Sequence, residues 1–227
     1  MKTSVILPAA GLGLRIKSDI AKPLILINDE SIIIHTLKNL DSHPLINEIV
    51  LVFNSKDMTE IKKLIIQKGI KKVTQVVEGG AIRKESVKNG LRHISADTDI
   101  VLIHDGVRPF IDHKVVTEAI EAAVKSGAAI VGVPVKATLK KVKLEDQEVE
   151  STLNRDEVWE IQTPQVFRKD LIMEAYKDSD GIEASDDSCL VERLGQRVTL
   201  VKGSYFNIKI TTPEDLVLAQ AISKNSR

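Results

Sequence analysis

Short strand-like runs, rich in apolar and β-branched residues, recur along the chain at residues 5–7, 49–52, 73–77, 100–104, 129–135 and 198–201. Between them, residues 31–40, 59–68, 84–94, 114–126, 186–194 and 213–222 place their apolar side chains at the spacing of a helix with one buried face. Apolar strands alternating with amphipathic helices predict an α/β fold: a mostly parallel, twisted, Rossmann-like sheet with helices on both faces. The last helix carries its own start signal. Thr211-Thr212 ahead of Pro213, Glu214 and Asp215 supplies a capping hydroxyl, a proline for the first turn and acids against the helix dipole.

One stretch breaks the alternation. Residues 138–156 are polar and charged, with short alternating pieces on either side of Glu145-Asp146-Gln147, the pattern of a protruding β-hairpin. An isolated hairpin is marginal in water, so this one is expected to lean on a second copy of the chain.

Composition narrows the picture. With 227 residues, 25.0 kDa and 43% hydrophobic residues, the chain has enough apolar material for one domain spanning 1–227, with 138–156 as an arm for dimerisation. Its 32 basic and 32 acidic residues cancel, which argues against a sequence-independent grip on nucleic acid. A single cysteine, Cys189, excludes an internal disulfide. The first apolar run is too short for a signal peptide and none approaches membrane length, so a soluble cytoplasmic protein with no membrane partner is expected.

The candidate chemistry begins at Ser4-Val5-Ile6-Leu7-Pro8-Ala9-Ala10-Gly11-Leu12-Gly13-Leu14-Arg15, a strand running into a loop of small residues that ends in arginine. Small side chains let backbone N–H groups reach phosphate oxygens, and Arg15 adds a planar cation; Lys22 supplies another. The dinucleotide fingerprint G-x-G-x-x-G also follows a strand, but its third glycine would fall at Ile16, and no acid ends the next strand. A nicotinamide enzyme is thereby disfavoured.

In an open α/β sheet, ligands gather beyond the carboxyl ends of the strands. The segments there are Ala9 to Arg15, Gly79-Gly80 through Ser86, His104-Asp105-Gly106-Val107-Arg108-Pro109, and Asn207-Ile208-Lys209-Ile210-Thr211-Thr212. Singly, each has a structural reading: a turn, a cap or a solvated charge. Jointly they offer cations for phosphate oxygens, a carboxylate for a hard cation, and a glycine pair that can lie against a flat base.

These motifs, together with Gln162-Thr163-Pro164-Gln165, resemble in order and over nearly the whole chain the motif series of the 2-C-methyl-D-erythritol 4-phosphate cytidylyltransferases. The resemblance implies a nucleotidyltransferase fold, CTP and a polyol phosphate as partners, Mg²⁺ as cofactor, and a homodimer with exchanged β-arms. It implies catalytic roles for Arg15, Lys22 and Lys209 around the triphosphate, with nucleotide contacts from Ala9, Ala10, Gly11, Gly13, Gly80, Ser86 and Asp105. Asp105 would also bind or orient the metal. Arg108, Thr138 and Thr163 would meet the polyol phosphate, Arg155 would reach over from the partner's arm, and Thr211 would stand beside Lys209 at the substrate.

The sequence departs from that series in four places. Ala21-Lys22-Pro23 replaces Pro-Lys-Gln, which predicts a more extended Lys22. Ala81 follows the glycine pair where an acid is frequent, Lys136-Ala137-Thr138 lacks an acid before the threonine, and Gly106-Val107 replaces two alanines. The departures leave the phosphate chemistry intact and bear on the alcohol. A cytidylyltransferase for another polyol phosphate, such as ribitol 5-phosphate, would share Arg15, Lys22, Asp105 and Lys209. A binder on the same fold would not need all three cations and the carboxylate.

Overall fold

The computed structural model describes residues 1–11 and 21–225. The strands are β1 (Thr3–Pro8), β2 (Leu26–Ile27), β3 (Glu30–Ser31), β4 (Glu48–Phe53), β5 (Val73–Glu78), β6 (Ile100–Ile103), β7 (Ala128–Pro134), β8 (Lys140–Val142), β9 (Val149–Thr152), β10 (Trp159–Arg168) and β11 (Thr199–Lys202). The α-helices are α1 (Ile32–Asp41), α2 (Met58–Gln67), α3 (Arg83–Leu91), α4 (His113–Ser126), α5 (Lys169–Lys177), α6 (Ser188–Glu192) and α7 (Pro213–Asn225). Seven of these strands form one sheet in the order β11-β7-β10-β6-β1-β4-β5.

The centre of the sheet is apolar on both faces, as a doubly covered sheet requires. Every residue of β4 and β6 is buried, and β1 is buried from Thr3 to Leu7. On one face Leu7, Leu51 and Leu102 pack with Leu37 of α1, Ile61 of α2 and Ile120 of α4. On the other, Ile6, Val52 and Ile103 pack with Val87 of α3 and Ile172 of α5. β1 is parallel to β4 and β6, and β4 to β5, so their carboxyl ends share one edge.

Strand β10 and helix α5 fall outside the sequence expectation, and β10 runs antiparallel to both β6 and β7. Pro164 and the polar residues around it hide the strand, because proline normally excludes an interior position. The structure accommodates it at a register shift between Gln162 and Gln165. Helix α6 is also shorter than expected.

Residues 140–142 and 149–152 pair antiparallel, with Lys140 opposite Thr152, and every residue of both strands is exposed. No helix among the described residues is long and apolar enough to cross a membrane.

Candidate active site

A cavity of about 580 Å³ opens at the carboxyl edge of the sheet, a size suited to a small-molecule ligand. Its walls are the segments that follow β1, β4, β5 and β6, closed by Lys209 and Thr211 ahead of α7. Of the nominated residues, Ala9, Ala10, Gly11, Lys22, Gly80, Ser86, Asp105, Lys209 and Thr211 line it. Gly13 and Arg15 lie outside the described residues. Arg108, Thr163, Thr138 and Arg155 are not in the wall: the first two are buried behind it, and the last two are exposed on the arm.

Close backbone approach explains two glycines. A Cβ at Gly79 would stand 2.2 Å from Ala10 Cβ, so the loops after β1 and β5 can touch only if this residue has no side chain. At Gly106, where the resembled series has alanine, an added Cβ would meet Ala9 Cβ at 2.7 Å. The glycine loop is then tied down: Gly80 N–H donates to Ser86 Oγ at 3.1 Å and Ala81 N–H to Glu85 Oε2 at 2.7 Å. The amide of Ala9 is spent on Val52 O at 2.8 Å, so it is not available to a ligand in the cavity.

Lys22 corrects an expectation. It opens a 3-10 turn, Lys22–Leu24, while Ala21 before it takes the extended conformation (φ −55°, ψ 128°). Pro23 sits in the first turn of a helix, where its missing N–H costs nothing, and the buried Pro23 and Leu24 anchor the lysine at the cavity wall.

Asp105 is the electrostatic centre. Its side chain is only 7% exposed, and three cations meet it: Lys209 Nζ at 2.8 Å and Arg108 Nε at 3.5 Å on Oδ2, and Arg83 Nε at 3.1 Å on Oδ1. Burial alone would raise its pKa, but the charges of Arg83, Lys209 and Arg108 outweigh that and hold the carboxyl far below the usual carboxylate range. Burial pushes the Arg108 guanidinium down, offset in part by Asp105. Arg108 Nη1 donates to Asn207 O at 2.8 Å, and Asn207 Nδ2 reaches Thr163 O at 2.8 Å.

A directed chain of hydrogen bonds orients the Asp105 backbone. Its N–H donates to Thr163 Oγ1 at 3.0 Å, the hydroxyl lies 3.1 Å from His104 Nδ1, and His104 Nε2 lies 3.0 Å from Arg108 O. A carbonyl can only accept, so Nε2 carries the proton, Nδ1 accepts from Thr163, and the ring is neutral. Burial pushes its pKa down to about 4, consistent with that assignment.

Lys209 is exposed to the cavity, and Thr211 beside it is fixed through its N–H (2.7 Å) and hydroxyl (2.9 Å), both donating to Asp215 Oδ2. Arg83, within the segment from Gly79 to Ser86, has no role in the sequence reading. The signal was there: Arg83 and Lys84 occupy the first turn of α3, where the helix dipole disfavours cations. Each is held from outside the helix, Arg83 by Asp105 and Asp187, and Lys84 by Ser179 O (2.5 Å) and Ile182 O (2.6 Å).

Among the described residues, the wall holds no histidine or cysteine that could serve as base or nucleophile. It offers cations, a carboxylate, glycine-loop backbone and small side chains at the edge of a parallel sheet, means for holding a polyphosphate and stabilising charge on it. Fold and site together define a nucleotidyltransferase. The sequence profile of the 2-C-methyl-D-erythritol 4-phosphate cytidylyltransferases matches residues 3–225, and the chain belongs to that family. The enzyme of that name from Alkaliphilus oremlandii is 47% identical to it, over 100% of this chain and 97% of the relative. The one from Bacillus velezensis is 41% identical, over 99% and 97%. Among solved structures, 4-diphosphocytidyl-2C-methyl-D-erythritol synthase from Anaerococcus prevotii superposes with a TM-score of 0.86 at 34% identity, covering 98% of each chain.

Proposed function

We propose that this protein transfers CMP from CTP to 2-C-methyl-D-erythritol 4-phosphate. The reaction releases pyrophosphate and forms 4-diphosphocytidyl-2-C-methylerythritol for isoprenoid biosynthesis by the non-mevalonate route. The observation that carries this reading is the cavity in which Lys22, Lys209 and Asp105 meet the small-residue and glycine loops, in a chain of that family.

A phosphate oxygen of the polyol attacks the α-phosphorus of CTP in line with the departing pyrophosphate; one P–O bond forms and one breaks. Both reactants are anions, so repulsion and growing charge on phosphate oxygens make much of the barrier, and no side-chain nucleophile is needed. Lys22 and Lys209 face that charge, and the backbone of Ala10 and Gly11 holds the triphosphate; Arg15 and Gly13, outside the described residues, are expected from the motif to join them. Gly80 and Ser86 border the cytosine, whose flat ring fits a wall without side-chain bulk.

Asp105 suits Mg²⁺: it is a hard oxygen ligand in the wall, and Mg²⁺ is commonly held by one or two carboxylates together with substrate phosphates. No cluster of three or more such ligands exists among the described residues, so the nucleotide would complete the shell. When bound, the ion would neutralise charge on the triphosphate. Arg108 and Thr163, buried behind the wall, would bear on the polyol phosphate through the groups they hold, Asp105 above all. Thr138 and Arg155 are exposed on the arm, and in a homodimer with exchanged arms Arg155 would complete the partner's site. The arm's apolar residues Leu144 and Val149, 89% and 60% exposed, suit such an interface. Small, highly charged substrates suit a cytoplasmic enzyme.

The test is to incubate the protein and Mg²⁺ with each of the four nucleoside triphosphates and a panel of polyol phosphates, and to measure pyrophosphate. Release only with CTP and 2-C-methyl-D-erythritol 4-phosphate is expected. Release with ribitol 5-phosphate instead would reassign the alcohol, and CTP binding without turnover would make the protein a binder.

A further inference from the structure

One guanidinium joins Asp105 in the cavity wall to a second, hidden carboxylate. Arg83 places Nε 3.1 Å from Asp105 Oδ1 and Nη2 2.8 Å from Asp187 Oδ2. On its far side, Asp187 Oδ1 accepts from the Tyr176 hydroxyl at 2.6 Å. Asp187 is 0% exposed and Tyr176 3%, and neither lines the cavity, whereas Arg83 and Asp105 do. The loop carrying Asp187 is pinned as well: its N–H donates to Gln165 Oε1 at 3.0 Å, and Gln165 Nε2 donates to Asp186 at 2.7 Å.

Charge counting gives this arrangement a purpose. Asp105 alone faces Arg83, Arg108 and Lys209, one negative charge among three positive ones. Such a cluster repels any further cation. Asp187 takes one prong of Arg83 and cancels part of the surplus. With Arg83 so tethered, only Oδ1 of Asp105 is committed to it, and Oδ2 is left to Lys209 at the cavity and to buried Arg108.

We propose that Asp187 and Tyr176 are positioning residues that act through Arg83, holding Asp105 with Oδ2 turned to the cavity and keeping the local positive potential low enough for a divalent cation to bind there. The inference rests on the reading of Asp105 as the cation's ligand. A purely structural role would lower the stability of a variant without changing how its folded form binds metal.

The experiment uses the full chain with Mn²⁺ as probe. Electron paramagnetic resonance measures Mn²⁺ bound to the protein in complex with a non-hydrolysable CTP analogue, against the analogue alone, and turnover at saturating CTP gives the half-activating Mn²⁺ concentration. Asp187→Asn keeps the side chain's shape and an acceptor for Tyr176 but removes the charge. It is expected to weaken Mn²⁺ binding about tenfold, or ~1.4 kcal/mol, and to raise the half-activating concentration equally. Tyr176→Phe should shift both in the same direction by about two- to threefold, and it decides the matter if Asp187→Asn does not fold. Wild-type Mn²⁺ affinity in these variants, with Asp105→Asn strongly impaired, overturns the inference and leaves Asp105 as ligand. Wild-type affinity in Asp105→Asn as well overturns both.

Discussion

Two buried carboxylates stand at opposite ends of the central sheet. Glu48 opens β4 at the amino edge, 3% exposed, and Asp105 follows β6 at the carboxyl edge, 5% exposed. Both are held below the ordinary carboxylate range although burial pushes each the other way. Their partners differ. Glu48 is satisfied mainly by neutral donors: Ser4 Oγ at 2.5 Å and Ser95 N–H at 2.8 Å on Oε1, the Ser95 hydroxyl on Oε2, and Lys2 farther off at 3.8 Å. Asp105 is held by three cations, two of which, Lys209 and Arg83, line an open cavity. A depressed pKa therefore does not mark a functional group by itself; access and the kind of partner do. Glu48 is a closed joint between β1, β4 and the 95–98 turn, whereas Asp105 is the centre of an ion cluster that opens on the cavity.

The comparison breaks most visibly through Lys209. Lys209→Ala and Lys22→Ala are expected to cost about 3 to 4 kcal/mol of barrier, two to three decades of turnover, by analogy with loss of one preorganised donor. Their melting temperatures should stay near that of the parent chain, since Asp105 keeps Arg83 and Arg108 when Lys209 goes. Steady-state pyrophosphate release beside thermal melts checks both halves, and near-normal turnover in either variant removes that lysine from the mechanism. At the other edge the pattern reverses. Glu48→Ala strands the hydroxyls of Ser4 and Ser95 and the Ser95 amide, and the expected loss is about 3 kcal/mol of folding stability with unchanged turnover per folded molecule. Urea unfolding followed by activity at low denaturant measures it.

The same contrast shows what could be read from the chain. Strands β1, β4, β6 and β7 announce themselves because they are continuous apolar runs, β5 by its valines at 73, 76 and 77, and the loops after them carry their chemistry in short contiguous motifs. β10 was hidden by Pro164 and by the polar side chains of Gln162, Thr163 and Gln165, which bond to Ser204, His104 and Asp186, far away in sequence, instead of following the apolar pattern. The cavity wall was legible for Lys22, Asp105 and Lys209, since a cation or acid beyond a strand end is conspicuous. Burial was not: Arg108 reads as a solvated charge and lies 7% exposed against Asn207. The pairing of Arg83 with Asp187 spans 104 positions and leaves no local trace, although two cations in the first turn of α3 pointed to partners elsewhere.

His104 sharpens the comparison from beneath Asp105. The ring is 0% exposed, donates from Nε2 to Arg108 O and accepts at Nδ1 from Thr163, so protonation would set two donors against a hydroxyl that already receives the Asp105 amide. Its folded pKa of about 4 lies below the unfolded value of 6.5. The native state therefore resists a proton that the unfolded chain accepts. The contribution is fully present above pH 6.5 and is lost as pH falls toward 4, amounting to roughly 2 kcal/mol between pH 7 and pH 5. His104→Asn, which cannot titrate, should start less stable at pH 7 yet lose less on acidification, and urea unfolding of both proteins at the two pH values reads the difference. Parallel losses would mean that the acid sensitivity between pH 7 and pH 5 lies elsewhere, and not in the Glu48 joint, whose lowered pKa keeps its contribution intact until the pH falls below the unfolded value of 4.5.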